Sequence, residues 1–265
     1  MITIPDLHAA KAQGRPLAML TAYDATFARL FDEAGVDMML VGDSLGNVIQ
    51  GHDATLPVTL EDILYHTRAV VRATKNAHIV ADMPFLSYGA DEAEAVRNAG
   101  RLMKEGGAHA VKLEGAGELL GAIRRMVGIG IPVMGHLGLT PQSVHALGGY
   151  KVQGRGEAGD RLLEDALALE GAGVYALVLE MVPATLAARV SQALRVPVIG
   201  IGAGAHTDGQ VLVCYDMLGL NRGFQPRFLK RFETLGERVE EAVRAYIAEV
   251  RARSFPGVEH SFGDR

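Results

Sequence analysis

The sequence has a single cysteine, Cys214, among 265 residues. No disulfide can form within the chain, and a zinc site built on cysteines is excluded. The sequence also lacks a run of about 18 apolar residues, the length that a membrane-spanning helix needs. The N-terminal segment has no apolar signal-peptide core. We therefore expect a soluble, cytoplasmic protein with no membrane partner.

Basic residues do not outnumber acidic ones, with 26 lysines and arginines against 31 aspartates and glutamates. The net charge is −5, and the one short group of basic residues, in segment 227–231, does not form the extended basic face that nucleic-acid binding requires. We therefore expect no nucleic-acid partner. Hydrophobic residues make up 49% of the chain and charged residues 22%, a globular balance. The length suits one closed α/β barrel, so we predict a single domain over residues 1–265.

Short apolar runs alternate with helical patterns along nearly the whole chain. The runs are too continuous for half-exposed strands and are typical of parallel strands buried on both faces. They cover residues 17–21, 38–41, 78–81, 110–113, 132–135, 175–179, 197–201 and 211–215. Eight strands with helical crossovers predict the fold class α/β, as a (β/α)₈ TIM barrel.

The predicted helices begin at recognisable capping residues. Asp24 is placed to cap the helix after the first strand. Thr59 with Asp62, and Asp91 with Glu94, have the spacing of capping boxes. A doubly wound open sheet is the alternative fold, but such sheets usually carry a glycine fingerprint after the first strand, and here that strand leads into Thr-Ala-Tyr-Asp.

Acidic residues end three consecutive predicted strands: Asp43, Asp82 and Glu114. Barrel active sites lie at the carboxyl ends of the strands, and neighbouring strands are about 4.8 Å apart. The three carboxylates can therefore converge, and two bare charges about 4 Å apart repel by roughly 4 kcal/mol at an effective dielectric of 20. Oxygen ligands without histidine or cysteine favour a hard ion such as Mg²⁺. Alternatively, each acid caps a helix or pairs with a base.

Two further charged residues stand at strand ends. Lys112 shares a face of its strand with Glu114, and it either balances the carboxylates or binds an anionic substrate. Glu180 ends the sixth strand, across the barrel mouth from the second. That position suits a general base acting on a substrate held by the ion; a helix-starting acid before Pro183 is the alternative.

Three other features have less specific interpretations. His136 can be a metal ligand, a substrate contact or a satisfied core histidine, and the last two are favoured. The glycine-rich segment 200–204 either cradles a phosphate at a helix N-terminus or forms a tight turn. Cys214 is interpreted as a buried apolar residue.

Seven ordered motifs between about residues 17 and 220 resemble those of one enzyme family. They are MLTAYD (19–24), VGDSLG (41–46), ADMPF (81–85), VKLEG (111–115), MGHLGLTPQ (134–142), LEMVP (179–183) and IGIGAG (199–204). Together they resemble the ketopantoate hydroxymethyltransferase (3-methyl-2-oxobutanoate hydroxymethyltransferase) family. No motif of that family is identified after Phe232.

The resemblance implies a barrel of the phosphoenolpyruvate/pyruvate superfamily and a role in pantothenate synthesis. It implies that Asp43 and Asp82 bind Mg²⁺, with Glu114 at the ion or holding it through water. Ser44, Lys112 and the two aspartates would contact the 2-oxo acid substrate, and Glu180 would accept the proton. The one-carbon donor would be 5,10-methylenetetrahydrofolate. The protein would be a homo-oligomer, as a decamer.

Two other functions remain as alternatives. One is a Mg²⁺-dependent lyase or mutase that acts on 2-oxo acids in the same superfamily. Lyases of that group carry a catalytic cysteine after the fourth strand, whereas Cys214 lies late in this chain. The other is a non-catalytic barrel acting as a binding protein or scaffold, which has no need for carboxylates at four strand ends.

Overall fold

A computed structural model of the chain describes residues 1–223 and 225–263. Within these residues, eight parallel strands close into a barrel in chain order, and β8 pairs with β1. The strands are β1 (Leu17–Thr21), β2 (Met38–Val41), β3 (His78–Asp82), β4 (Ala110–Glu114), β5 (Val133–Gly138), β6 (Ala176–Glu180), β7 (Val198–Ile201) and β8 (Gly209–Leu212). The predicted (β/α)₈ barrel is confirmed, and the open sheet is wrong.

Helices precede, connect and follow the strands. The α-helices are α1 (Ile4–Ala12), α2 (Ala25–Glu33), α3 (Leu45–Val48), α4 (Leu60–Ala73), α5 (Glu92–Lys104), α6 (Leu120–Gly128), α7 (Val144–Leu147), α8 (Glu157–Ala172), α9 (Ala184–Ala193), α10 (Cys214–Met217) and α11 (Leu235–Ala252). Three 3₁₀ turns also occur in the described residues, at Gly117–Leu119, Pro141–Ser143 and Val258–His260.

The chain divides into two compact units, Met1–Val213 and Cys214–Arg265. The first contains the whole barrel with α1 to α9, and the second contains α10 and α11. The prediction of one domain over residues 1–265 stays a prediction. Over the residues that the structure describes, none of the helices has both the length and the apolar composition needed to cross a membrane.

The predicted capping residues begin their helices. The Asp24 side chain accepts hydrogen bonds from two backbone amides of the first turn of α2. Thr59 and Asp62 form the reciprocal capping box at α4. Asp91 accepts a hydrogen bond from the Glu94 amide at 2.7 Å, but the reciprocal bond that would complete the predicted capping box is not formed at α5. Helix starts were readable because a cap depends on side chains only two or three residues away.

Side chains from all eight strands fill the barrel, together with Leu7 and Ala10 of α1. The strand contributions are Leu17 and Met19, Met38 and Leu40, Val80, Ala110, Met134, Ala176 and Val178, Ile199, and Val211. Alternate residues of a strand point to the same side. The strands are apolar on both faces because helices cover the outside of the barrel.

The inward positions become polar at the carboxyl ends of the strands. The charged or polar residues at these inward positions are Asp82 on β3, Lys112 and Glu114 on β4, His136 on β5 and Glu180 on β6. On β4, for example, Lys112 and Glu114 follow Ala110 at intervals of two residues, while Val111 and Leu113 lie on the other face. The two-residue period that builds the core therefore also points these groups into the barrel mouth.

The bounds of two predicted strands were wrong by more than one residue, whereas the other six agree to within one residue. β5 extends past the predicted 132–135 to Gly138, because pairing with β6 continues as far as Gly138 opposite Glu180. β8 lies at Gly209–Leu212, not at 211–215, because β1 pairs with it from Leu17 opposite Gly209. Gly209 allows a close approach, since a Cβ there would lie 2.5 Å from the Leu17 carbonyl oxygen.

Candidate active site at the carboxyl ends of the strands

Asp43 and Asp82 meet at the ends of β2 and β3. The Asp43 backbone N–H donates to Asp82 Oδ2 at 3.0 Å, and Lys112 Nζ lies 2.7 Å from Asp82 Oδ1. The strands can approach each other here because Gly42 has no side chain. A Cβ at Gly42 would lie 2.8 Å from Ser44 Oγ and 3.4 Å from Asp82 Oδ2. The residues of the Gly-Asp-Ser motif therefore lie close to the next strand's carboxylate.

A second set of contacts connects Lys112 to Glu180 through His136. Lys112 Nζ is 3.4 Å from His136 Nδ1, which also lies 3.3 Å from Glu114 Oε1. The other ring nitrogen, Nε2, lies 3.4 Å from Glu180 Oε2, an ion-pair distance without hydrogen-bond alignment. The Glu180 side chain is 17% exposed, against 3% for Glu114. Glu180 is therefore the more accessible of the two carboxylates.

The backbone after Glu180 is held closely. Leu139 N–H donates to the Glu180 carbonyl at 2.8 Å, and Met181 N–H donates to the Ile201 carbonyl at 2.9 Å. Met181 has a φ of 46°, which is uncommon for a residue with a side chain. Gly138 has a φ of 94°, and a Cβ there would lie 2.2 Å from the Glu180 carbonyl oxygen. These contacts fix where the Glu180 side chain begins.

Gln142 joins two of the acidic residues, although the sequence reasoning did not single it out. Its Nε2 donates to Asp43 Oδ2 at 2.9 Å and to the Met83 carbonyl at 3.0 Å. Its backbone N–H donates to Glu114 Oε2 at 3.0 Å. The Tyr88 hydroxyl donates to Gln142 Oε1 at 2.6 Å. The only sequence signal was the position of Gln142 at the end of the MGHLGLTPQ motif.

Tyr23 was also missed as a site residue. Its hydroxyl lies 2.8 Å from Ser44 Oγ, and its backbone carbonyl is 2.6 Å from His66 Nδ1. Ser44 was implicated in substrate contact only by resemblance, and the structure places it beside Gly42 and Asp43 at the mouth of the barrel. Tyr23 lies in the MLTAYD motif, directly after β1 and its following residue Ala22.

Burial and mutual repulsion dominate the electrostatics of the two aspartates. Burial raises the pKa of Asp43 well above its usual range, and the charges of Asp82 and Glu114 raise it further. Burial also raises the pKa of Asp82, with partial compensation from the Lys112 ammonium. The carboxylates in turn hold the pKa of Lys112 above its ordinary value against the opposing effect of burial. One lysine does not neutralise this group of acids.

The pKa of Glu114 shifts in the opposite direction. Burial by itself raises it, but contacts with His136, the Lys112 charge and the Gln142 amide lower it overall. Burial and Lys112 lower the pKa of His136, and its neighbours Glu114 and Glu180 outweigh them and raise it to about 9. At neutral pH, Glu114 and His136 therefore form a charged pair.

The donor set at Asp43 and Asp82 fits a hard cation. In the parts of the chain that the structure describes, no three carboxylate, imidazole or thiol groups form a complete protein-only metal site. Mg²⁺ commonly binds through one or two carboxylates and takes its other ligands from substrate and water. Two buried carboxylates with raised pKa values provide such an incomplete set. Both oxygens of Glu114, by contrast, already face His136 and Gln142.

The weaker sequence features can now be placed. In segment 200–204, the first two residues end β7 and the rest form a turn, with positive φ at Gly202 and Gly204. The turn leads towards β8 and not into a helix. The tight-turn interpretation is therefore the correct one, and the phosphate cradle at a helix N-terminus is wrong. Cys214 is buried, as predicted.

A closed parallel barrel with buried charged groups gathered at the carboxyl ends of its strands is the architecture of a barrel enzyme. Solved structures support this fold. Phosphonopyruvate hydrolase matches with a TM-score of 0.63 at 16% identity, over 100% of this chain and 92% of its own. 2,3-Dimethylmalate lyase, a member of the PEP mutase/isocitrate lyase superfamily, matches with a TM-score of 0.60 at 17% identity, over 100% and 93%.

Sequence comparisons identify the family. A family model described as ketopantoate hydroxymethyltransferase matches residues 1–258. The 3-methyl-2-oxobutanoate hydroxymethyltransferase of Geobacter sulfurreducens is 55% identical over 98% of both chains. The protein of the same name from Pelobacter propionicus is 53% identical over 98% of this chain and 97% of its own. The chain belongs to the ketopantoate hydroxymethyltransferase family and is an enzyme, a hydroxymethyltransferase. The resemblance in the motifs is confirmed, and membership in this family goes against the lyase or mutase and scaffold alternatives.

Proposed function

We propose that the enzyme transfers a hydroxymethyl group from 5,10-methylenetetrahydrofolate to 3-methyl-2-oxobutanoate and forms 2-dehydropantoate (ketopantoate) for pantothenate synthesis. The contact between Asp43 and Asp82, beside Lys112, carries the proposal. It brings two buried carboxylates and one ammonium to the place where barrel enzymes bind their substrates. The names of the relatives support the identity of the substrate.

Asp43 and Asp82 would hold a Mg²⁺ ion, with Glu114 contacting it through water. An ion held there would supply a Lewis acid for the 2-oxo group and would offset negative charge at that group. Lys112 and the Ser44 hydroxyl would bind the substrate carboxylate. Because both side chains lie beside the aspartates, they would orient the substrate with C3 toward Glu180.

Glu180 would take the proton from C3, and its carboxylate becomes a carboxylic acid in that step. His136, next to its Oε2, would hold the carboxylate in place. The electron pair left on C3 then forms a bond to the methylene carbon of the donor. Both carbon–nitrogen bonds of the methylene group, to N5 and to N10 of the donor, break, and water supplies the hydroxyl oxygen. The C3 proton from Glu180 and one proton of that water end on N5 and N10 of the released tetrahydrofolate. A positioned base typically contributes about 10²–10⁴-fold to the rate.

Turnover tests the proposal directly. The purified enzyme, given Mg²⁺, 3-methyl-2-oxobutanoate and 5,10-methylenetetrahydrofolate, should form ketopantoate, detected by mass spectrometry. Omission of the donor, or chelation of the metal, should abolish product. In calorimetry, Asp82→Ala should weaken the binding of Mg²⁺ and of the 2-oxo acid together, and the exposed Asp160→Ala should weaken neither. Product formation without a folate donor would overturn the proposed reaction, and unchanged affinities in Asp82→Ala would remove Asp82 from the metal site. Cytoplasmic location and the homo-oligomeric decamer stay predictions.

A further inference from the structure

A cavity of about 280 Å³ opens beside the carboxylates of the barrel mouth. One side is formed by the loop segment 85–90, which follows β3, and the other by Glu114, Gln142 and Ser143. Small-molecule pockets commonly measure about 300–1,000 Å³, so this cavity is near the lower end of that range. Its volume is sufficient for a flat bicyclic ring.

The outer wall of the cavity is apolar, and hydrogen bonds fix the loop that forms it. Phe85 is 48% exposed and Leu86 is 65% exposed. Leu86 has a φ of 63°, in the left-handed region that a residue with a Cβ rarely adopts, and such outliers cluster at ligand-binding sites. The loop is fixed by Ser87, because its amide and hydroxyl both donate to the Pro84 carbonyl, at 3.0 and 2.7 Å. Asn98 Nδ2 donates to the Ser87 carbonyl at 2.8 Å.

The inner wall is polar and leads directly to the proposed reaction centre. The Tyr88 hydroxyl accepts a hydrogen bond from the Glu114 amide at 3.0 Å and donates to Gln142 Oε1 at 2.6 Å. Gln142 Nε2 in turn contacts Asp43 Oδ2 at 2.9 Å. A molecule in the cavity is therefore separated from Asp43 by a single side chain. Two substrates that exchange a carbon atom need such adjacent sites.

We propose that this cavity binds the pteridine ring of the tetrahydrofolate donor, an inference that rests on the proposed function. Phe85 and Leu86 contact the faces and edge of the ring, and Glu114, Gln142 and Ser143 line its polar side. The cavity is too small for the whole donor, so the rest of the donor leaves the cavity on its exposed side. The methylene carbon next to the ring then lies toward C3 of the 2-oxo acid.

Binding of tetrahydrofolate tests the inference without turnover, because this product carries no carbon to transfer. Calorimetry would compare the wild type, Phe85→Ala and Leu86→Gly in the presence of Mg²⁺ and 3-methyl-2-oxobutanoate. Glycine accepts a φ of 63° without strain, so Leu86→Gly removes the side chain and keeps the loop. Stacking of a ring on an aromatic side chain stabilises the bound state. Loss of the Phe85 side chain should therefore raise the Kd for tetrahydrofolate and the KM for the donor by about tenfold or more.

The matched control is Tyr65→Ala, which removes an aromatic side chain that is 70% exposed on α4. It should leave the Kd and the donor KM unchanged. Exchange of the C3 proton in deuterated water requires no donor, and it should proceed at the wild-type rate in all three variants.

The outcomes separate the two proposals. Wild-type Kd and KM values in both Phe85→Ala and Leu86→Gly, or an equal loss in Tyr65→Ala, would overturn the pteridine site while ketopantoate formation stands. A wild-type enzyme that exchanges no C3 proton and forms no ketopantoate would overturn the proposed function itself.

Discussion

His136 Nε2 lies 3.4 Å from Glu180 Oε2, and the two residues come from the neighbouring strands β5 and β6. The opposite ring nitrogen faces Glu114, so one imidazole separates a buried carboxylate from a more exposed one. This arrangement gives the two glutamates different environments. Glu114 is enclosed by protein contacts, and Glu180 remains accessible to a substrate. Two glutamate carboxylates with the same chemistry can have different catalytic roles when their environments differ.

Replacement of Glu180 by glutamine should separate proton transfer from binding. The amide keeps the shape of the side chain but cannot accept the C3 proton, so exchange of that proton should fall by about 10²–10⁴-fold. Nuclear magnetic resonance of 3-methyl-2-oxobutanoate in deuterated water measures the exchange. Binding of Mg²⁺ and the 2-oxo acid, measured by calorimetry, should persist. Exposed Glu157→Gln should exchange normally, and wild-type exchange in Glu180→Gln would show that another group is the base.

Gln142 should influence metal affinity although it does not have to touch the ion. Its Nε2 fixes Asp43 Oδ2, and residues that orient metal ligands commonly contribute about 10–100-fold to metal affinity. Gln142→Ala should therefore weaken Mg²⁺ binding by a factor in that range. Tyr88→Phe removes the donor to Gln142 Oε1 and the acceptor for the Glu114 amide but keeps the Gln142 amide, and it should have a smaller effect in the same direction. Calorimetric Mg²⁺ titration measures both, with Gln153→Ala as control, and wild-type affinity in Gln142→Ala would refute the role.

His78 should make folding stability depend on pH. Burial, and secondarily His109, lower the pKa of His78 to about 4 from 6.5, and its Nε2 contacts the Tyr175 hydroxyl at 3.2 Å. The unfolded chain therefore binds a proton between pH 6.5 and about 4 that the folded chain does not. The contribution of His78 to the free energy of unfolding is complete above pH 6.5. It is lost as the pH falls to about 4, and the total loss is roughly 3 kcal/mol.

Urea unfolding at several pH values checks this dependence. The wild type should lose more free energy of unfolding between pH 6.5 and 4 than His78→Gln does, because glutamine does not titrate. Comparison of the two proteins removes the contribution of the other acidic and histidine groups. Parallel curves for the wild type and His78→Gln would contradict the prediction.

Gly138 should be much less replaceable than a surface glycine with a similar backbone conformation. Gly14 has a φ of 65° with open space at the Cβ position, whereas Gly138 has a φ of 94° and a Cβ would meet the Glu180 carbonyl at 2.2 Å. Gly14→Ala should cost only the strain of the left-handed conformation, roughly 1–2 kcal/mol. Gly138→Ala should lower the free energy of unfolding by about 1–3 kcal/mol more than Gly14→Ala does, because the backbone around residue 138 must move. Equal free energies of unfolding for the two variants would count against the close approach.

Residues at strand ends could be found from the sequence because two local rules place them. A parallel strand is recognisable from its continuous apolar run, and alternate residues of it share one face. Asp82, Lys112 and Glu114 follow from these rules. Asp43 lies one residue beyond the alternation of β2, and its position near Asp82 depends on the turn at Gly42.

The same rules did not predict which residues of the loops belong to the site. Tyr88 and Gln142 are 54 residues apart in the chain, and Gln142 and Asp43 are 99 apart. Loop conformation follows no two- or four-residue period, so spacing gives no information about which loop side chains meet. The MGHLGLTPQ motif contained Gln142 but did not indicate that its amide would contact Asp43.

The sequence by itself determined the barrel, the order of its strands and the starts of three helices, and its motifs indicated the family by resemblance. The barrel and the helix starts depend on side-chain periodicity and on capping over a few residues, which are local properties. Only the tertiary structure decided that Glu114 faces His136 and Gln142, that Glu180 is the more exposed glutamate, and that a cavity lies beside Glu114 and Gln142. Those facts depend on distances between residues far apart in the chain, which exist only once the barrel has closed and the loops have packed against one another.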